Sequence, residues 1–208
     1  MVRLFIPGKR DVGRRHCANS GTAVYETAVL FCLEVKMLGL IHIYCGKGKG
    51  KTTASVGLSV RAAGAGKRVL FVQFFKNGVS SEVKSLRLLP GVETLICEKP
   101  VNFFMHMDDE QKNEAREIYS QLLEKAIEQS ENADLLVLDE IISTCNYGIA
   151  DESRLIDFLK TKREDLEVVL TGREPSENLM ACADYITEMT KIKHPYDEGI
   201  NARQGIEF

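Results

Sequence analysis

Leu40-Ile-His-Ile-Tyr-Cys-Gly-Lys-Gly-Lys-Gly-Lys-Thr-Thr-Ala54 decides the reading of this chain. It passes from a short run of β-branched and aromatic residues, through alternating glycine and lysine, into residues that suit a helix. That succession predicts a strand, a phosphate loop and a helix N-terminus. Gly46, Gly48 and Gly50 let the backbone curl until successive N–H groups point inward, where they join the free N–H groups of the helix's first turn in holding phosphate oxygens. Lys51 reaches the terminal phosphates and the Thr52 hydroxyl is placed to ligate Mg²⁺. Lys47, Lys49 and Thr53 complete the expected nucleotide-binding stretch. The match to G-x-x-x-x-G-K-[ST] is imperfect: Cys45 stands where the first glycine belongs, and Gly46 comes one residue late. The competing reading is a glycine-rich surface loop with solvated lysines. An Asp-Glu strand ending downstream favours the nucleotide.

The chain has 208 residues, enough for one ordinary domain with a substantial core. Its 27 basic residues are offset by 30 acidic ones, for a formal charge of -3, which argues against nucleic-acid binding by the whole surface. Cys17, Cys32, Cys45, Cys97, Cys145 and Cys182 form no C-x-x-C pair, and the four histidines lie far apart. This scatter reads as thiols in a reducing, cytoplasmic compartment, with neither a disulfide framework nor a zinc knuckle. No stretch of about 20 uninterrupted apolar residues exists, so no membrane span is expected. Residues 1–36 read as an N-terminal extension of uncertain order or origin: basic at first, then more apolar but interrupted by Glu26 and Glu34, a poor match to a signal peptide. A helix over 22–36 is compatible with them, and residues 37–208 form the expected catalytic domain.

From the loop outward the pattern alternates strand and helix, which predicts an α/β fold with a mostly parallel sheet flanked by helices. Leu40–Tyr44 is the first strand, expected near the sheet's centre. A helix over 52–63 follows, stopped by Gly64 and Gly66. Arg68–Phe74 is the second strand, ending in Gln73-Phe74-Phe75-Lys76-Asn77-Gly78, a polar and aromatic edge of the kind that holds ligands. A short helix over 82–89 and a weaker strand over 92–97 lead to Lys99–Met107, which has neither period. Asp108 is the expected N-cap of a helix reaching about Gln129, with a buried stripe at Ala115, Ile118, Tyr119, Leu122, Leu123 and Ala126. Leu135–Glu140 is a buried strand that delivers two carboxylates. A helix over 153–160, a strand over 166–170, a helix opened by Pro175 and a strand over 186–192 complete the chain.

Asp139, at the end of its apolar strand, is the natural partner of Lys51 and Thr52 and is expected to hold Mg²⁺ directly or through water. A helix cap or salt bridge is its structural alternative. Glu140 either activates water, as in a hydrolase, or orients a neighbour. Arg173, at another strand end, faces the same phosphates or makes a surface ion pair. Gln73 and Lys76 are candidates for contact with a second substrate. The residues alone lead to a Mg-nucleotide enzyme: an ATP hydrolase or phosphotransferase acting on the terminal phosphate fits them as well as any other chemistry.

Gly46–Thr53, Val72-Gln-Phe74 with Lys76, Val137-Leu-Asp-Glu140, Leu170-Thr-Gly-Arg173 and the ending from Lys193-His-Pro-Tyr-Asp-Glu-Gly199 to Gly205-Ile-Glu-Phe208 together resemble the phosphate-loop ATP:corrinoid adenosyltransferases. The resemblance covers residues 39–208, in the family's order, with Lys47 where the family most often has Asn. It implies a RecA-like fold and transfer of the 5′-deoxyadenosyl group of ATP to Co(I) of a reduced corrinoid, with release of triphosphate. It also implies Mg²⁺, with Mn²⁺ as a substitute, a homodimer, and a reduced flavoprotein as electron donor. Lys51, Asp139, Glu140 and Arg173 become the expected catalytic set and Thr52 with Asp139 the metal ligands. Phe103 and Phe104 are expected to press on the lower face of the corrin; the chain has no tryptophan to share that task.

Overall fold

The computed structural model describes residues 38–75, 80–97 and 108–207. Its elements, in chain order, are β1 (Ile41–Cys45), α1 (Lys51–Gly64), β2 (Val69–Gln73), α2 (Ser81–Leu86), β3 (Val92–Ile96), α3 (Asp109–Ser130), β4 (Leu135–Asp139), α4 (Ile141–Asn146), α5 (Glu152–Thr161), β5 (Glu167–Thr171), α6 (Glu177–Cys182), β6 (Tyr185–Glu188) and a 3-10 turn over Pro195–Glu198. The six strands form one sheet in the order β3-β2-β4-β5-β1-β6, and each pairing is parallel. The strand that feeds the phosphate loop is separated from the one that ends in Asp139 by β5. This is the RecA-like arrangement, and it leaves a crevice at the carboxyl ends of the strands.

Alternation along the strands divides the core in two. Leu70, Val72, Leu136, Leu138, Val168 and Leu170 point to one face, where Tyr119 and Leu123 of α3, Ile142 of α4 and Leu155 of α5 cover them. Val69, Phe71, Leu135, Val137 and Val169 point to the other, beneath Ala62 of α1 and Leu86 of α2. Side chains of a strand project with a period of two, so an apolar run covered on both faces buries every position. β2 and β4 are accordingly buried at all five residues each. Each fully buried leucine or valine removes enough apolar surface from water to stabilise the fold by about 1.5–3 kcal/mol before entropy is counted. The small residues of α1 serve this packing: Ser55 and Ser59 are fully buried, each returning its hydroxyl to a backbone carbonyl of the preceding turn.

Four features depart from the sequence reading. β1 lies next to the edge strand β6, away from the middle of the sheet, because β4 and β5 both insert on its other side. β6 is shorter than expected and all four of its residues are exposed. Pro175 does not open α6; Ser176 does, since its hydroxyl accepts the Leu179 N–H at 3.1 Å and so satisfies a donor that proline cannot reach. Ile141–Asn146 is a helix that the β-branched residues Ile141, Ile142 and Thr144 concealed. Asp108, by contrast, caps α3 as anticipated, in a capping box with Gln111. Lys76, Phe103, Phe104 and the segment 1–36 lie outside the described residues.

Candidate nucleotide site

Parallel pairing sets Gln73 of β2 in register with Asp139 of β4, and β5 brings Thr171 alongside. Asp139 is fully buried at this junction. One carboxylate oxygen accepts hydrogen bonds from the hydroxyls of Thr52 at 2.9 Å and Thr171 at 2.7 Å. The other accepts from Thr52 at 3.3 Å and from the Gln73 amide at 3.4 Å. A buried carboxylate is tolerated only when donors surround it, and here they come from three separate elements. Gln73 is also fully buried, sits behind Thr52 and gives its other amide hydrogen bond to Glu82 at 3.1 Å. Its carbonyl oxygen has no hydrogen-bond partner among the described residues. Leaving a buried acceptor unpaired costs about 1–3 kcal/mol.

The phosphate loop closes on its own lysine. Lys51 is buried, and its ammonium donates to the carbonyls of Gly46 at 2.8 Å and Gly48 at 3.0 Å. Two of its three donors are thereby used, and one is left for an anion. Burial pushes its pKa down; Glu140 opposes that shift, Arg173 adds to it and Asp139 again opposes it. The late glycine has a steric reason. Gly46 adopts φ of 100°, and a Cβ there would lie 2.6 Å from the carbonyl oxygen of Met189. That same carbonyl accepts the Gly48 N–H at 2.6 Å. The expectation that successive loop N–H groups all point inward therefore holds only in part: one of them ties the loop to the segment after β6.

Lys47, Gly48, Lys49, Gly50, Lys51, Thr52 and Thr53 line one side of a cavity of about 540 Å³. Glu82 of α2, Glu140, Arg173, His194 and the terminal segment near Glu207 complete it. All four residues expected to be catalytic are thus at one place, three on the cavity wall and Asp139 directly behind Thr52. Lys47 is held outward by an exposed ion pair with Glu174 at 3.2 Å. Thr171, Ser143, Glu82, His194 and Met189 were not singled out from the sequence. Thr171 and His194 carried a signal, each standing inside a stretch quoted for the family resemblance.

Glu140 holds a left-handed backbone conformation, φ of 63°, at the N-cap of α4. Its N–H donates to the Thr171 hydroxyl at 2.8 Å, and its carboxylate accepts the Ser143 hydroxyl at 2.7 Å. The Arg173 N–H donates to that same hydroxyl at 3.3 Å. The two strand ends interlock so closely that a Cβ on Gly172 would lie 2.7 Å from both Ile142 Cβ and the Ser143 nitrogen. A non-glycine residue in this conformation costs about 1–2 kcal/mol, and such strain collects at functional sites. Glu140→Gly should therefore relieve strain about as much as it loses through the Ser143 bond. Its unfolding midpoint is expected to stay within a few degrees of the parent while turnover falls at least tenfold; a parallel loss of both would mark Glu140 as a structural residue.

The oxygen donors of Thr52 and Asp139 suit a hard cation such as Mg²⁺ and not a thiophilic metal. Among the described residues no cluster of three or more His, Cys, Asp or Glu forms a metal cage. A cation here would complete its coordination with phosphate oxygens and water, the usual habit of Mg²⁺. Among the described residues no disulfide forms, and burial pushes the Cys145 thiol up to about 12, which leaves it unreactive. No described helix is long and apolar enough to cross a membrane.

Comparison with known proteins adds to this geometry. Residues 37–208 match the family model described as "ATP:corrinoid adenosyltransferase BtuR/CobO/CobP". A corrinoid adenosyltransferase of Sinorhizobium sp is 34% identical over 213 aligned positions, spanning 97% of this chain and 95% of the relative. Its counterpart in Escherichia coli strain K12 is 28% identical over 170, spanning 82% of this chain and 86% of the other. The corrinoid adenosyltransferase CobA of Salmonella typhimurium strain LT2 is 29% identical over a similar span, 82% of this chain and 86% of that protein.

Proposed function

The chain belongs to the ATP:corrinoid adenosyltransferase family and is an enzyme of that kind, and from this premise we propose that it joins the 5′-carbon of Mg-ATP to Co(I) of a reduced corrinoid and releases triphosphate. The observation that carries the finer reading is the shared cavity in which the loop and Lys51 stand together with Glu140 and Arg173. Glu140, the water-activating residue of the hydrolase alternative, accepts the Ser143 hydroxyl. Cobalt in its reduced state is itself the nucleophile, so no general base is needed. As the cobalt–carbon bond forms, the bond from C5′ to the phosphate oxygen breaks and its electron pair leaves with triphosphate; cobalt is formally oxidised from I to III.

The protein's contribution is alignment and charge. Fixing the two reactants in line supplies part of the rate advantage of an intramolecular reaction. Lys51, Arg173 and the loop N–H groups stabilise the negative charge that grows on the leaving triphosphate. Thr52 and Asp139 would hold Mg²⁺, which supplies further charge neutralisation at the phosphates. A second cavity, of about 430 Å³, shares Gly48, Lys49 and His194 with the first and is walled by Ile192, Ile200 and Ile206, an apolar surface suited to the adenosine. Phe103 and Phe104 are assigned to the corrin by family resemblance, as are the homodimer and the reduced flavoprotein donor.

The test is the identity of the leaving group. Purified protein incubated anaerobically with Mg-ATP and chemically reduced corrinoid should yield 5′-deoxyadenosyl corrinoid and intact triphosphate in equal amounts, with little of either when the corrinoid is omitted. ADP and orthophosphate formed without corrinoid would replace this reading with a hydrolase.

A further inference from the structure

Gln73 stands apart among the buried polar groups of the site. Its amide nitrogen is engaged twice, by Glu82 at 3.1 Å and by Asp139 at 3.4 Å, and its carbonyl oxygen has no partner among the described residues. An ionised carboxylate only accepts hydrogen bonds. Two carboxylates beside one amide therefore fix which way it faces: the NH₂ must turn to them, and the carbonyl must turn away. Glu82 belongs to α2 and lines the nucleotide cavity, whereas Gln73 and Asp139 belong to paired strands. The orientation of a fully buried amide is thus controlled from the cavity wall.

We propose that Glu82 and Gln73 are positioning residues for the cation: Glu82 holds the Gln73 amide so that its carbonyl accepts a hydrogen bond from the hydration shell of the Mg²⁺ held by Thr52 and Asp139. This rests on the Mg-nucleotide part of the proposed function and not on the corrinoid step. The chemistry is apt. Mg²⁺ keeps several of its waters, and those waters are strongly polarised donors. Around them the protein must present acceptors, and Asp139 alone is already shared among Thr52, Thr171 and Gln73. The unpartnered carbonyl is the acceptor that such a shell requires, and groups of this kind outside the ligands typically change metal affinity 10–100-fold.

The experiment measures ATP binding by calorimetry, with and without Mg²⁺, and reads the ratio of the two affinities. In Gln73→Met, close in size but without the amide, the Mg²⁺-dependent gain should fall about tenfold while metal-free binding stays near the parent value. Glu82→Leu should reduce the gain similarly, and the double variant should be no worse than Gln73→Met alone, since Glu82 acts through the amide. Additive losses would overturn the relay by showing that Glu82 acts through its own charge. An unchanged gain in Gln73→Met, with its unfolding midpoint retained, would overturn the role of the carbonyl. If Gln73→Met does not fold, Glu82→Leu still decides, because its site is half-buried on α2; an unchanged gain there refutes the proposal. Failure to form an adenosyl corrinoid in the parent protein would refute the proposed reaction and leave this reading of Mg-ATP binding to stand or fall on its own result.

Discussion

Lys51→Ala is expected to lower nucleotide affinity and turnover by about 100-fold or more, equivalent to about 2.7 kcal/mol. The one donor left free by the loop carbonyls makes a charge-assisted hydrogen bond to phosphate, worth about 1.5–3 kcal/mol, which accounts for a loss of that size. The same replacement should barely change stability. The ammonium is buried, and its pKa is pushed down by that burial, so the folded state already bears a cost in keeping it charged. Against this, the carbonyls of Gly46 and Gly48 lose their donor. The two effects oppose each other, and an unfolding midpoint within a few degrees of the parent is expected alongside the collapse in binding. Calorimetric titration with ATP and thermal unfolding of the same preparation check both halves; undiminished ATP affinity would remove the phosphate loop from the site.

Asp139→Asn should behave differently, losing stability as well as activity. The parent carboxylate accepts from Thr52, Thr171 and Gln73. An asparagine at this fully buried position turns an NH₂ toward at least one of those donors. Losing one hydrogen bond to a buried charged group costs about 2 kcal/mol, enough to lower the midpoint by about 5 °C in a domain of this size. Turnover should fall at least 100-fold with a much reduced response to added Mg²⁺, while some metal-free nucleotide binding persists through the loop. A variant with parent-like stability and Mg²⁺ response would contradict the assignment of Asp139 as the buried centre of the site.

The residues that could be read from the sequence are those whose local pattern already states their role. The Gly46–Thr52 run announces a loop and a helix start, Asp108 with Gln111 announces a cap, and Leu135-Leu-Val-Leu-Asp139 announces a buried strand with a carboxylate at its end. What stayed hidden depends on contacts between distant segments. Nothing near Gly46 predicts that Met189 will fill the space above it. Nothing in Gln73 indicates that it is covered by α2 and joined to Glu82. α4 was hidden for a related reason: its β-branched residues favour strands, and only burial of Ile141 and Ile142 against the sheet makes the helix the better outcome. The central position expected for β1 failed because strand order is a global property, set by which hydrophobic edges meet.

The order of strands also constrains how the molecule is made. β1 emerges first from the ribosome, yet its neighbours in the sheet are β5 and β6, and the Leu40 N–H finds its acceptor, the carboxylate of Glu167, 127 residues later. Until that stretch has been synthesised, the lysine-bearing loop has neither the strand that flanks it nor the Met189 carbonyl that ties it down. A nascent chain ending before Thr171 therefore carries the complete glycine signature but not a nucleotide pocket. Closing so long a loop is slow compared with making nearer contacts, so pairing of β2, β3 and β4 is expected to precede the seating of β1. ATP is then expected to be captured only by chains in which β1 has joined β5 and β6.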